Sequence, residues 1–230
     1  MFEKLPEDFD GFITPEGELI SIEDADRMYG ILMKSTENPD KLILVLRGFA
    51  DECLAHGRFG AACAYLEKSL PLVESPGDKA SCLLMIGQAW EHAGDCKAAR
   101  AAYQRAFTLP QEKNDTWYFL NNNLAFCLNK EGGHKEAEQH CRAAIKVNRR
   151  RHNAYKNLGV ALEGQGRYVD AARNYLRAAR LHPADTRAAE LLERLMDAYA
   201  ETLNGAPKLR AQLHKYQAET GTSTNRYRVH

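Results

Sequence analysis

The sequence has no net charge: 31 Lys and Arg are balanced by 31 Asp and Glu over 230 residues. It therefore lacks the basic excess that dedicated nucleic-acid or membrane-surface binders usually carry. No apolar run approaches the roughly 18 residues of a membrane span. The opening Met1-Phe2-Glu3-Lys4-Leu5-Pro6-Glu7-Asp8 is acidic and broken by proline, unlike a secretion signal. Six cysteines stand at 53, 63, 82, 96, 127 and 141, with no Cys-x-x-Cys pair and no Cys/His set at zinc spacing. A chain of this length with 44% hydrophobic residues can bury a core without disulfide staples. Reduced thiols and a cytoplasmic setting are the expectation.

Against these absences stands a strong internal repeat. Gly57, Gly94, Gly132 and Gly166 each precede an alanine by five residues: Ala62, Ala99, Ala137 and Ala171. Four residues later come Leu66, Tyr103, Cys141 and Tyr175, and three further on Ser69, Ala106, Ala144 and Ala178. Eight residues before each glycine sit Phe49, Ile86, Leu124 and Leu158, each followed by a small residue: Ala50, Gly87, Ala125 and Gly159. Successive copies are 37, 38 and 34 residues apart. Each copy contains two apolar stripes at helical spacing. In the last copy Tyr155, Leu158 and Leu162 share one helix face, and Ala171, Tyr175, Ala178 and Leu181 share another. Gly166 is placed to end the first helix with a positive-φ cap, and Pro183 to stop the second.

This order of residues resembles the tetratricopeptide repeat (TPR), most fully in the copy with Tyr155, Leu158, Gly159, Leu162, Ala171, Tyr175, Ala178 and Pro183. It departs at Asn121, which replaces the family's first aromatic, and at Glu74, Gln111 and Arg149, which replace the closing proline. The resemblance implies an all-α, right-handed superhelical solenoid of about four repeats, at residues 43–76, 80–113, 118–151 and 152–185. One helical hairpin cannot bury its apolar face alone, so neighbours stack and the ends need caps. Residues 186–203 read as a capping helix within an array spanning 41–203. Residues 204–230 read as a basic C-terminal tail, with 208–218 as one more short helix. Residues 1–40, with 11 acidic and 3 basic side chains, read as an acidic arm and capping helix. Phe12 to Ile20 suits a small hairpin or an extended arm, Ser21 an N-cap, and Asn38-Pro39 the start of the array.

The resemblance also implies that the first helix of each pair lines a concave groove. The residues placed there include Phe119, Asn122, Asn123 and Phe126, then Lys156 and Asn157, then Arg187 and Arg194. An Asn amide can pair with the backbone of an extended peptide, as in the asparagine ladders of peptide-binding TPR proteins. The two Phe could anchor a partner side chain, and the three cations could receive a carboxylate. The family's two-carboxylate clamp for chaperone tails is matched only at isolated positions, such as Asn123, so such tails are not expected.

Chemistry elsewhere is thin. Cys141 beside His140 sits on a repeat position that Leu and Tyr fill in other copies, which makes it core. Glu52 and His56 are one helical turn apart with no third metal ligand. Arg149-Arg150-Arg151 belongs at a helix C-terminus, where cations are favourable, so nucleic acid is disfavoured as a partner. Gly164-Gln165-Gly166 is a hairpin turn and not a phosphate loop. No enzyme activity, metal or cofactor is expected. The sequence points to a protein-interaction module that binds a peptide segment of a partner. Its alternative is a self-associating module whose groove holds its own acidic arm or a second protomer.

Overall fold

The computed structural model describes residues 11–13, 19–35, 38–110 and 112–220. They form two compact units, residues 1–112 and 113–230. The N-terminal unit opens with strands β1 (Gly11–Ile13) and β2 (Leu19–Ser21), antiparallel with Phe12 opposite Ile20. Helix α1 (Ile22–Ser35) follows, and the Asp24 N–H donates to Ser21 Oγ at 3.0 Å. Helix α2 (Pro39–Ala55) is capped by Asn38 Oδ1, which accepts from the N–H groups of Asp40 and Lys41. It pairs with α3 (Phe59–Ser69). Helix α4 (Pro76–His92) pairs with α5 (Cys96–Phe107), capped by Ser75 and Asp95.

The C-terminal unit repeats this plan with α6 (Asp115–Lys130) on α7 (His134–Val147) and α8 (His152–Glu163) on α9 (Tyr168–Leu181). Three further helices follow: α10 (Arg187–Ala198), α11 (Ala200–Asn204) and α12 (Pro207–Thr220).

All four hairpin turns are built alike. Gly57, Gly94, Gly132 and Gly166 have φ of 71°, 82°, 82° and 75°. The following N–H reaches back to the carbonyl of Cys53, Trp90, Leu128 or Leu162 at 2.8 to 2.9 Å. Each glycine N–H donates three residues back. This is the Schellman arrangement, and its left-handed residue explains why glycine recurs there.

The small residue in the middle of each first helix has a packing cause. A Cβ on Gly87 would lie 2.1 Å from Tyr103 Cε1, and one on Gly159 2.4 Å from Tyr175 Cε1. Both tyrosine rings are fully buried, and their hydroxyls donate to Glu91 and Glu163 at 2.7 Å. Where Ala50 and Ala125 replace glycine, the equivalent partners are Leu66 and Cys141, smaller than tyrosine. Glycine goes with tyrosine and alanine with a smaller side chain, which keeps the interior close-packed. Cys141 is fully buried, and burial pushes its thiol far up in pKa, in keeping with a core role.

One expectation about the C-terminal end changes. The capping helix is interrupted at Tyr199 (φ −130°, ψ 37°), where the Tyr199 ring stacks on Tyr168 with centroids 3.6 Å apart. The short helix expected over 208–218 of the tail is present as Pro207–Thr220. Leu209 and Leu213 are buried, Tyr216 packs on Ala178, Ala179 and Ala188, and Arg180 donates to the Gln212 carbonyl at 3.3 Å. Residues 221–230 lie outside the described residues. So do residues 1–10 and 14–18, on which the expectation of a groove-filling arm largely falls. No helix among the described residues is long and apolar enough to cross a membrane.

Candidate functional site

Within the C-terminal unit, α6, α8 and α10 line a groove of about 630 Å³. Phe126, Asn129 and Lys130 come from α6. Lys156, Asn157 and Val160 come from α8. Arg187, Glu190, Leu191 and Arg194 come from α10. Helical periodicity sets this face: Lys156 and Val160 are one turn apart, as are Arg187 and Leu191. Of the eight residues proposed from sequence, the groove brings together Phe126, Lys156, Asn157, Arg187 and Arg194.

The other three lie behind it. Phe119 packs on buried Tyr118, Ala144 and Ala154, and the Arg151 guanidinium lies 4.6 Å from its ring centroid. Arg151 is itself held by Asp115 Oδ2 at 2.8 Å. The structure therefore takes Phe119 out of the groove, and it makes Arg151 a cover for aromatic rings. Asn122 and Asn123 are 7% and 8% exposed. Asn122 Nδ2 donates to Asn123 Oδ1 at 2.9 Å, and Asn122 accepts from Asn157 Nδ2 on both its carbonyl and its Oδ1, at 3.2 and 3.1 Å. Two of the three asparagines therefore hold the third in place. Asn129 Nδ2 adds a bond to the Asn157 carbonyl at 2.9 Å. Among the described residues Asn157 Oδ1 has no hydrogen-bond partner, and it remains an acceptor on a residue that lines the groove.

The cations are not equivalent. Arg187 grips Asp185 with Nε and one terminal nitrogen at 2.7 and 2.6 Å. Asp185 also lies 2.9 Å from His152 Nε2, and these bonds, that from Arg187 first, hold its carboxyl far below the usual aspartate range. Arg194 holds both oxygens of Glu163, at 2.6 and 2.8 Å. Lys130 is exposed, 5.8 Å from the Phe126 ring centroid. Lys156 is half-buried and makes no ion pair or hydrogen bond with any described residue. Burial first, and Arg187 second, pull its pKa below the ordinary lysine value. Lys130 stands one residue beyond the helical stripe that ends at Asn129, so the repeat phase does not mark it.

A smaller pocket of about 390 Å³ in the N-terminal unit is lined by Leu54, Phe59, Met85, Gln88, Ala89 and His92, with Phe59 stacked on His92 at 5.7 Å. Glu52 and His56 are 2.9 Å apart. No group of three or more His, Cys, Asp or Glu side chains among the described residues could hold a metal ion.

Comparison with known proteins bears on the fold. No family model matches the chain. The MamA fragment "41-end" of Desulfovibrio magneticus RS-1 superposes with a TM-score of 0.60 at 18% identity, over 77% of this chain and 96% of that one. YrrB, a TPR protein with an unusual peptide-binding site, superposes with a TM-score of 0.57 at 19% identity, over 75% and 85%. The chain has the fold of tetratricopeptide-repeat proteins. The TPR reading has a sequence counterpart in the small glutamine-rich tetratricopeptide repeat-containing protein 2 of Mycosarcoma maydis, 31% identical over 128 residues. That match covers 56% of this chain and 34% of the relative, so the chain spans about one third of that protein's length.

Proposed function

We propose that the chain is a non-catalytic protein-interaction module that binds an extended segment of a partner protein in the groove between α6, α8 and α10. The observation that carries this reading is Asn157. Its amide nitrogen is fixed by Asn122, and its Oδ1 is left as an acceptor on a residue that lines the groove. An acceptor held rigid in this way suits a backbone N–H, which every extended peptide offers whatever its sequence. Phe126, Val160 and Leu191 add apolar lining beside it. Peptide binding in a related fold, named for YrrB, agrees with the reading.

The test is a selection of peptides from a random library on the full chain, followed by affinity measurement on Val160→Arg. Val160 is half-buried on the groove floor, so the arginine fills the groove without removing a core side chain. Arg173→Ala, at an exposed position on α9, serves as the control. Binding should fall at least about tenfold, or about 1.4 kcal/mol, in Val160→Arg and stay level in the control. Equal binding by all three proteins, each with an unchanged helical spectrum, would place the site elsewhere.

A further inference from the structure

We infer that the groove selects a segment carrying one internal Asp or Glu side chain, received by Lys156, next to an apolar residue seated among Phe126, Val160 and Leu191. This rests on the reading that the groove binds an extended segment. Four cations and one carboxylate, that of Glu190, line the groove. Two of the cations already have partners: Arg187 is bound by Asp185 through two nitrogens, and Arg194 takes both oxygens of Glu163. An incoming carboxylate would have to displace a formed ion pair at either arginine, made by two nitrogens at Arg187 and by Nη2 alone at Arg194. Lys130 is solvated and rests near an aromatic ring. Lys156 alone is half-buried with no ion pair or hydrogen bond among the described residues, and the Asp185 carboxylate that acts on it from farther off is committed to Arg187. An ammonium partly stripped of water and left unpaired is the group that gains most from a carboxylate.

The same arithmetic sets how many acids fit. With Arg187 and Arg194 neutralised, Lys130 and Lys156 face Glu190, whose Oε1 accepts from Thr186 Oγ1 at 2.6 Å. The lining has one positive charge in excess, and a second acid would meet Glu190 as a like charge. A chain end is also a poor match. A terminal carboxylate is best held by a two-point guanidinium fork; the Arg187 fork is occupied and Arg194 Nη2 is already shared between both oxygens of Glu163, whereas a lysine is a point charge on a flexible stem suited to a side-chain carboxylate.

The experiment selects peptides on the full chain from two random libraries. In one, the variable region is internal. In the other, it ends in a free carboxylate. Both are repeated on Lys156→Met and Lys156→Gln, with circular dichroism confirming the fold. The expected result is enrichment from the internal library of one Asp or Glu close to Leu, Ile or Phe, with the acid preference lost on both variants. Replacing that acid by its amide in a synthetic peptide should cost about tenfold in affinity on wild type and little on Lys156→Met. Enriched peptides without an acid would overturn this inference and leave the groove reading standing. So would enrichment from the free-carboxylate library alone, or an acid preference that survives at Lys156→Met and disappears at Arg194→Gln. No enrichment from either library would overturn the groove reading, and this inference with it.

Discussion

The substitution Gly87→Ala tests the packing rule on which each repeat depends. The new Cβ would sit 2.1, 2.5 and 2.6 Å from three atoms of the Tyr103 ring. Carbon atoms pack at about 3.5 to 4.0 Å, so α4 and α5 would have to separate by more than about 1 Å. The ring cannot swing away, because it is fully buried and its hydroxyl is tied to Glu91 at 2.7 Å. Overpacking of this depth belongs at the upper end of its usual range, about 3 kcal/mol. Alanine in a helix interior returns about 1 kcal/mol over glycine, leaving a net loss of about 2 kcal/mol. Gly48, exposed on α2 in the same unit, has nothing within 4 Å of its notional Cβ, so Gly48→Ala keeps only the gain. With a urea slope of about 2 kcal/mol/M, the midpoints should move down by roughly 1 M and up by roughly 0.5 M. The double substitution Gly87→Ala/Tyr103→Leu reproduces the Ala50 and Leu66 pair of the first copy, and it should be more stable than the two single changes predict. A Gly87→Ala protein as stable as wild type would refute the claim that a missing Cβ lets the two helices meet.

Other residues give further tests. Asn122→Leu removes the Oδ1 acceptor of Asn157 Nδ2, leaving it the backbone carbonyl, and also removes the donor to Asn123 Oδ1, and should lower stability by about 1–3 kcal/mol in urea unfolding. Lys156→Met should raise the urea midpoint at neutral pH while weakening acidic peptides. The folded pKa of Lys156 is depressed, so its charged form is a penalty in the native state at pH 7, and that penalty fades as pH rises toward the ordinary value of 10.5. Asp185 is the opposite case. Its depressed folded pKa contributes stability above the ordinary value of 3.8 and loses it as pH falls further. Asp185→Asn should therefore be less stable than wild type at pH 7, with the difference closing as both are taken into acid.

The repeat and its helices were legible because local rules fix them. A left-handed turn asks for glycine, an N-cap for Asn38 or Ser75, and a close helix crossing for a small residue opposite a ring. All of these recur at a fixed spacing. The site was legible only as a face. That Arg187 and Arg194 lie on the groove follows from phase along α10, but their neutralisation does not. Asp185 precedes Arg187 in a loop, and Glu163 reaches Arg194 from the end of another helix, 31 residues away in the chain. The asparagines carried a similar ambiguity, since position alone does not distinguish a solvent-facing amide from one buried against its neighbour. Phe119 looked like an exposed anchor because its cover, Arg151, comes from the far end of the repeat, just before α8. Tyr199 ends α10 through a stacking contact with Tyr168 that leaves no local mark in a helical stripe.

The central claim is that the groove of the C-terminal unit holds a partner's extended segment. Amide and side-chain NH₂ resonances of ¹⁵N-labelled full chain, followed during titration with a library-selected peptide, test it most directly. The account predicts that the largest shifts fall on Phe126, Asn157, Val160 and Leu191, with the Asn157 side chain among them. Shifts confined to α7 and α9, or to the N-terminal unit, would contradict it.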